Sequence, residues 1–271
     1  MTKTYIITGS ASGIGKALLK RLATDNVIFA GYRNPAHETE LRLISPNIYP
    51  FYIDYAKSET IKQAADYILS MCTKADTIIN IAGCVVAGPI EKIEINEIKR
   101  QFDVNVFGHL EFTRDLLEIL DGGKVINISS MSSFGVFPFI APYCASKHCL
   151  DMFFNSFLIE NKHDIQVVSI KPGVIATPLW GKSVQENSKY LDNCDGYEKE
   201  MKFLISNAQK NEKNGLSVEK VVDVILKADK SKHPKLSYTV GFDAFCASFL
   251  AKFPQAFVNK LIKYGMKRRI K

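Results

Sequence analysis

Residues 4–23 read TYIITGSASGIGKALLKRLA, and their order decides the fold: a short apolar run, Thr4 to Thr8, enters a glycine-rich turn that opens directly into an amphipathic helix. The turn, Thr8-Gly9-Ser10-Ala11-Ser12-Gly13-Ile14-Gly15, has three glycines. Glycines there let the backbone turn tightly and approach a pyrophosphate, whose charge meets the exposed N–H groups and positive dipole end of the helix. Three glycines in a surface loop mean little. The same three between an N-terminal strand and a helix predict dinucleotide binding.

Working outward, short apolar runs alternate with longer amphipathic stretches, the pattern of βαβ units. Strands are expected at Thr4 to Thr8, Val27 to Tyr32, Ile48 to Ile53, Thr77 to Ile81, Lys124 to Ile128, Gln166 to Ile170 and Ser237 to Val240. Helices are expected near Ile14 to Ala23, Glu59 to Met71, Ile95 to Ile119, Pro142 to Glu160 and Val218 to Ala228. Right-handed crossovers put helices on both faces of a parallel sheet, so the prediction is an α/β, Rossmann-type, doubly wound sheet of seven strands. Residues 1–241 form the catalytic domain in this reading, and 242–271 a helical C-terminal extension of it. Trp180 to Gly215 breaks the alternation: it is long, polar and charged, and is read as a lid or substrate loop, or else a solvated excursion.

Of the 271 residues, 46% are hydrophobic and 23% charged, as in ordinary globular chains. The six cysteines lack a C-x-x-C pair or nearby histidines at ligand spacing, so neither a metal site nor a disulfide framework is expected. The N-terminus lacks a signal arrangement, and no apolar run reaches the roughly 20 residues of a spanning helix, so a cytoplasmic protein is expected. The net charge of +7 is not a nucleic-acid footprint. Lys260, Lys263, Lys267, Arg268, Arg269 and Lys271 account for most of it, leaving a nearly neutral body with a basic tail.

The second strand indicates which dinucleotide is bound. An acidic residue at its end would accept ribose hydroxyls, as NAD sites require. Here the strand ends Tyr32-Arg33-Asn34. A guanidinium can donate to a 2′-phosphate in forked geometry and stack on adenine, so NADP(H) is predicted over NAD(H), with Arg33 as discriminator and Ser10, Ser12 and Asn34 as auxiliary donors. The plainer reading of Arg33 is a solvated strand end.

The chemistry is expected in Tyr143-Cys144-Ala145-Ser146-Lys147. Tyrosine and lysine at i and i+4 share a helix face, and an ammonium nearby would lower a phenol that otherwise titrates near ~10. Thirteen residues before Tyr143, at the carboxyl end of the fifth strand, is Ser130, with Ser129 as the alternative hydroxyl.

Over roughly residues 3 to 241 the chain resembles the short-chain dehydrogenase/reductase family. The TGxxxGxG loop falls on residues 8 to 15, the Asn-Ser-Tyr-Lys tetrad on Asn105, Ser130, Tyr143 and Lys147, and the PG-xxx-T segment on Pro172, Gly173 and Thr177. The resemblance implies that Tyr143 transfers the proton, Ser130 orients the substrate oxygen, Lys147 also holds the nicotinamide ribose, and Asn105 positions a water linking Lys147 to solvent. Beyond the cofactor contacts expected from Gly9, Ser10, Ser12, Gly13, Ile14, Gly15 and Arg33, it implies others. Asp54 would meet the adenine, Ala82 and Gly83 the adenosine ribose, and Thr177 with the Val174 to Ile175 backbone the nicotinamide side. A homodimer or homotetramer is also implied. One departure stands out: where the family commonly has N-A-G or N-N-A-G, this chain has Asn80-Ile81-Ala82-Gly83, so the side-chain role of the asparagine replaced by Ile81 is lost, to be offset by Asn80 or to cost some stability.

The expected substrate wall is Phe134, Val136, Phe137, Phe139, Ile140, Leu179 and Trp180, which suits a hydrophobic alcohol or ketone, steroid-, retinoid- or lipid-like. Beyond the last strand, Phe242, Phe245, Phe249, Phe253, Phe257, Leu261 and Tyr264 recur mostly every four residues, with Pro254 expected to separate two helices. This tail resembles those of the retinol and hydroxysteroid dehydrogenase branches. It is read either as a peripheral membrane contact or as a cover on the pocket or a neighbouring subunit. A 3-oxoacyl-carrier-protein reductase and a non-catalytic NADP-binding sensor or scaffold are the competing readings.

Overall fold

A computed structural model describes residues 2–160 and 162–269. In chain order the elements are β1 (Thr4–Ile7), α1 (Gly13–Leu22), β2 (Val27–Tyr32), α2 (Glu38–Arg42), β3 (Ile48–Tyr52), α3 (Ser58–Met71), β4 (Thr77–Asn80), α4 (Ile95–Phe102), α5 (Gly108–Asp115), β5 (Lys124–Ile128), α6 (Ala141–Glu160), β6 (Gln166–Pro172), α7 (Leu179–Glu186), α8 (Ser188–Asp192), α9 (Glu198–Asn214), α10 (Val218–Lys230), β7 (Ser237–Val240), α11 (Phe242–Leu250) and α12 (Gln255–Arg269). The seven strands form one parallel sheet in the order β3-β2-β1-β4-β5-β6-β7. The order reverses between β1 and β4, and in such sheets ligands bind beyond the carboxyl ends of the strands at that switch.

The strands read as nearly continuous apolar runs because both faces are covered. Alternate residues divide between two cores. On one face Tyr5 and Ile7, Ile28 and Ala30, Ile126 and Ile128, and Val168 and Ile170 pack with α1 and α10. On the other, Ile6, Phe29, Val125 and Val167 pack with α3, α5 and α6. Helix α1 buries Gly15, Leu18, Leu19 and Leu22, and α3 buries Ile61, Ala64, Ala65 and Ile68, the spacing of one helical face.

Asp229 ties the amino ends of the strands together. Its buried carboxylate accepts from Lys3 Nζ (2.9 Å), Tyr5 Oη (2.8 Å) and Thr77 Oγ1 (2.7 Å).

Two expectations are corrected. The single helix expected over Ile95 to Ile119 is interrupted by a π turn, Asp103–Phe107, and ends in a separate 3-10 turn, Leu117–Leu120. Such bulges often mark functional sites, and this one carries Asn105. The polar stretch Trp180 to Gly215 is not a loop: it forms α7, α8 and α9, and its Leu191, Cys194 (between α8 and α9) and Met201 make a small core with Phe139 against it. Pro254 does separate α11 from α12. Ile270 and Lys271 lie outside the described residues. No helix among the described residues is long and apolar enough to cross a membrane.

Candidate active site

The cradle sits where β1 meets α1. Gly9 has φ +66°, and a Cβ there would lie 2.8 Å from the Ala82 nitrogen, so only glycine lets the turn rest against the end of β4. Gly15 serves packing: its Cβ would come within 2.2 Å of the Gly9 carbonyl oxygen, so it fixes how closely α1 approaches the turn. Ser12 precedes α1 in extended conformation without capping it, and there is no acidic side chain in the first turn. The uncompensated N–H groups of α1 therefore face the cradle, which is the donor set a pyrophosphate requires. The cradle thus fits a dinucleotide.

Gly9, Ser12, Gly13, Ile14, Ala82, Gly83, Pro172, Gly173, Ile175 and Thr177 all line one cavity with Ser130, Tyr143 and Lys147. Ser10 does not. Its side chain is fully buried, its hydroxyl donates to the Ile7 carbonyl (2.8 Å) and its amide to the Gly31 carbonyl (3.0 Å), so it cannot reach a cofactor phosphate. Arg33 is exposed at the end of β2, with Nη2 3.8 Å from Glu186 Oε1. Asn34 accepts from the Ala36 amide, and Asp54 likewise closes a turn by accepting from the Ala56 amide (3.1 Å), leaving its half-exposed side toward the end of β3.

Tyr143, Ser146 and Lys147 follow one another along α6. Lys147 is buried and Nζ donates to the Ile128 carbonyl (2.8 Å) at the end of β5. Burial brings its ammonium down to about 8, opposed by the charge of Asp151. Ser130 Oγ accepts from the Ser132 amide (3.1 Å) and hydrogen-bonds the Tyr143 hydroxyl. The expected lowering of the Tyr143 phenol is corrected: burial pushes it up to about 12, and the Ser130 hydrogen bond offsets only part of that. Lys147 Nζ stands over the Tyr143 ring, 5.9 Å from its centre.

Asn105 is fully buried and acts as a clamp. Its Oδ1 accepts from the Cys84 amide (2.9 Å), and Nδ2 donates to the Cys84 carbonyl (3.0 Å) and Ser146 Oγ (3.0 Å), joining the segment after β4 to α6. A Cβ on Gly83 would lie 3.3 Å from Asn105 Oδ1 and 3.6 Å from Lys147 Nζ, so the bare glycine backbone packs directly on the tetrad. Asn80 does not take the place of the residue lost at Ile81, because Nδ2 turns into the sheet and donates to Asn127 Oδ1 (2.8 Å). Thr8 Oγ1 holds this segment instead, accepting from the amides of Ile81 and Ala82.

Three residues missed in the sequence support the site. His109 is buried and pairs with the Ala82 carbonyl (2.8 Å); burial and the Lys147 charge hold it at about 3, so it stays neutral. It lies at i+4 from Asn105, a spacing that could have identified it. Ser146 is visible in the same way, at i+3 from Tyr143. Asp243, at the start of α11, accepts from the Val174 amide (2.6 Å) and so fixes the Pro172-Gly173 segment, which sequence spacing did not reveal.

Residues 3–188 match the family model described as short chain dehydrogenase. The chain belongs to the short chain dehydrogenase family. Among similar proteins, this short chain dehydrogenase is 31% identical over 247 residues to an NADPH-dependent 3-dehydrocapnine reductase of Ornithobacterium rhinotracheale, covering 87% of each chain. It is 26% identical over 244 residues, again 87% of each, to a 3-ketodihydrosphingosine reductase of Bacteroides thetaiotaomicron. A short-chain dehydrogenase structure from Streptomyces avermitilis superimposes with TM-score 0.78 at 23% identity, covering 99% of this chain and 97% of that one.

In this dehydrogenase the cavity measures about 820 Å³ and extends from the cradle past Tyr143 to the C-terminal helices. Phe137, Phe139, Ile140, Leu179 and Trp180 line it as expected. Phe134 and Val136 do not: Phe134 lies under the Lys171 ammonium (4.5 Å), which pairs with buried Asp151, and Val136 turns to solvent. Phe139 adopts φ +65°, unusual for a bulky residue, and packs edge-on against Tyr197. The far wall comes from Leu204 and Ala208 of α9, Leu250 of α11, and Leu261, Ile262 and Met266 of α12. The tail therefore covers the pocket on one side. Its other side stays bare, with Phe242, Phe245, Phe249, Phe253 and Phe257 exposed.

Proposed function

We propose that this short chain dehydrogenase is an NADP(H)-preferring oxidoreductase that interconverts a hydrophobic secondary alcohol and its ketone, with Tyr143 as general acid and base. One observation carries the reading: a single, mostly apolar cavity joins the glycine cradle to Tyr143, Lys147 and Ser130 and runs on between α9 and α12. Such a lining favours a bulky lipid-, steroid- or retinoid-like substrate over a sugar or a small acid. Its likeness to a 3-ketodihydrosphingosine reductase supports the same substrate chemistry.

The residues divide the work. Gly9, Ser12, Gly13, Ile14 and the amino end of α1 hold the pyrophosphate, Ala82, Gly83 and Asp54 the adenosine, and Ile175 and Thr177 the nicotinamide side. Gly15 and Asn105 act as positioning residues. When bound, the nicotinamide supplies or accepts a hydride at the carbinol carbon. In reduction Tyr143, protonated because burial holds it at about 12, gives its proton to the carbonyl oxygen as negative charge develops there. Ser130 Oγ accepts from the Ser132 amide, and the proton it offers the Tyr143 hydroxyl can turn to the same substrate oxygen. Lys147, with one N–H committed to the Ile128 carbonyl, directs its remaining donors to the ribose hydroxyls. No metal is required, since proton and hydride are both accounted for.

Arg33 carries the preference for NADP(H), and the NADPH-dependent relative supports it. Titration with NADPH and NADH, followed by energy transfer from Trp180 to bound nicotinamide, tests this. Arg33→Asp should reverse the preference by removing a forked phosphate contact and adding a repelling charge; an unchanged preference would sink the NADP(H) assignment. The reading includes a cytoplasmic homodimer or homotetramer, as the family likeness implies. It also includes peripheral contact of the tail with an anionic membrane, for which the exposed phenylalanines and neighbouring lysines provide the chemistry.

A further inference from the structure

Helix α7 lies along the cavity that contains the glycine cradle. Just ahead of it, Thr177 Cγ2 lies 3.4 Å from where a Gly13 Cβ would stand, and Trp180 Nε1 donates to the Ile175 carbonyl (2.8 Å). Just beyond it, buried Asn187 is bonded to the opposite bank of the cleft: Oδ1 accepts from the Ala87 amide (3.0 Å) and Nδ2 donates to the Val85 carbonyl (2.7 Å). In between, Lys182 and Ser183 line the cavity with Gly9 and Ser12. The last residue of α7 is Glu186, and it meets Arg33.

This ion pair joins groups 153 positions apart. At 3.8 Å it is too long for a hydrogen bond, and the side chains are 56% and 37% exposed. Arg100 of α4 also feels the Glu186 charge, but it is paired with Glu97 (3.0 Å). A carboxylate thus rests loosely against the Arg33 guanidinium at the end of β2, where a 2′-phosphate would bind on the reading given above. A phosphate can make forked, charge-assisted bonds to the same guanidinium, which the carboxylate does not make.

We propose that Glu186 is the chain's own occupant of the 2′-phosphate site, so that it sets the selectivity between NADP(H) and NAD(H). The proposal rests on the Arg33 reading. The phosphate displaces Glu186 from Arg33, while Asn187 keeps this end of α7 in place. NADH, with a ribose hydroxyl in place of the phosphate, leaves the pair intact, and that hydroxyl can donate to the carboxylate as in acidic NAD sites. Glu186 therefore opposes one cofactor and assists the other.

The test is E186Q, which keeps shape and removes charge at an exposed position. Full-length wild type, E186Q, Arg33→Asp and the double variant are titrated with NADPH and NADH at low and high salt. Trp180 is the sole tryptophan and lies on α7, so its emission reports the helix as well as energy transfer to the nicotinamide. In E186Q, NADPH should bind about two- to fivefold more tightly, the range for an exposed ion pair, with NADH binding unchanged or weaker. The gain should shrink at high salt and disappear in the Arg33→Asp background. If Arg33→Asp changes the cofactor preference but E186Q leaves NADPH affinity unchanged or weaker, the Glu186 proposal is overturned while the Arg33 reading stands. If Arg33→Asp leaves the preference unchanged, both fall.

Discussion

Replacing Lys147 with methionine keeps the side chain's length and removes a charge held in a poor place for it. The ammonium is 3% exposed and brought down to about 8 by burial, with Asp151 opposing the shift. In an unfolded chain a lysine titrates near ~10.4. Between those values the unfolded chain binds more protons than the folded one, so stability rises with pH across that window, and below about pH 8 the charge costs stability. From pH 7 to pH 9.5 wild type should gain about 2 kcal/mol from this group, since each pH unit well inside the window is worth about 1.4 kcal/mol. Lys147→Met cannot gain it. It should also match or exceed wild-type stability near pH 7, because relief of the buried charge outweighs the roughly 1–3 kcal/mol for the bond lost at the Ile128 carbonyl. Urea unfolding of both proteins at the two pH values, at one protein concentration, measures the difference. Equal pH dependence in the two would refute the claim that the active-site ammonium is desolvated.

Asp229→Ala strands buried Tyr5 and Thr77 hydroxyls and breaks the pair with Lys3, so urea unfolding should show a loss of about 3 kcal/mol with cofactor binding kept. Hydrogen bonds, chiefly from Lys3, overcome burial to hold the Asp229 carboxyl below its ordinary value, so its contribution is present near neutrality and fades as pH falls through the acid range. On the tail, Lys260, Lys263 and Lys267 changed together to glutamate should abolish sedimentation with phosphatidylserine vesicles, each lysine near the surface being worth about 1 kcal/mol. NADPH binding should not change; vesicle binding equal to wild type would remove the membrane contact from the account.

The sheet was legible because a parallel sheet covered on both faces writes its strands as apolar runs, and the seven expected strands agree with those found to within two residues at either end. The cradle and Tyr143, Lys147, Ser130 and Asn105 were legible because glycines between strand and helix, and polar residues at i+4 or at a strand end, have fixed positions in space. The lid was not. The amphipathic faces of α7 and α9 are written against a polar background, and what they cover, Phe139 and the cavity, lies far away in sequence. Ser10 illustrates another limit: composition offered a hydroxyl, but the turn aims it at Ile7. Direct pairing was expected to decide the Tyr143 phenol, whereas burial does, and burial is a property of the folded chain.

Reduction itself tests the central claim most directly: NADPH and a long-chain ketone are mixed with excess enzyme, and loss of nicotinamide fluorescence is followed through one turnover in wild type and Tyr143→Phe. One alcohol should form per NADPH consumed, and Tyr143→Phe should be slower by about 10²- to 10⁴-fold, the usual worth of a general acid, with NADPH binding intact. NADPH consumed as fast without the Tyr143 hydroxyl, or bound but never consumed with any hydrophobic ketone, would contradict the account.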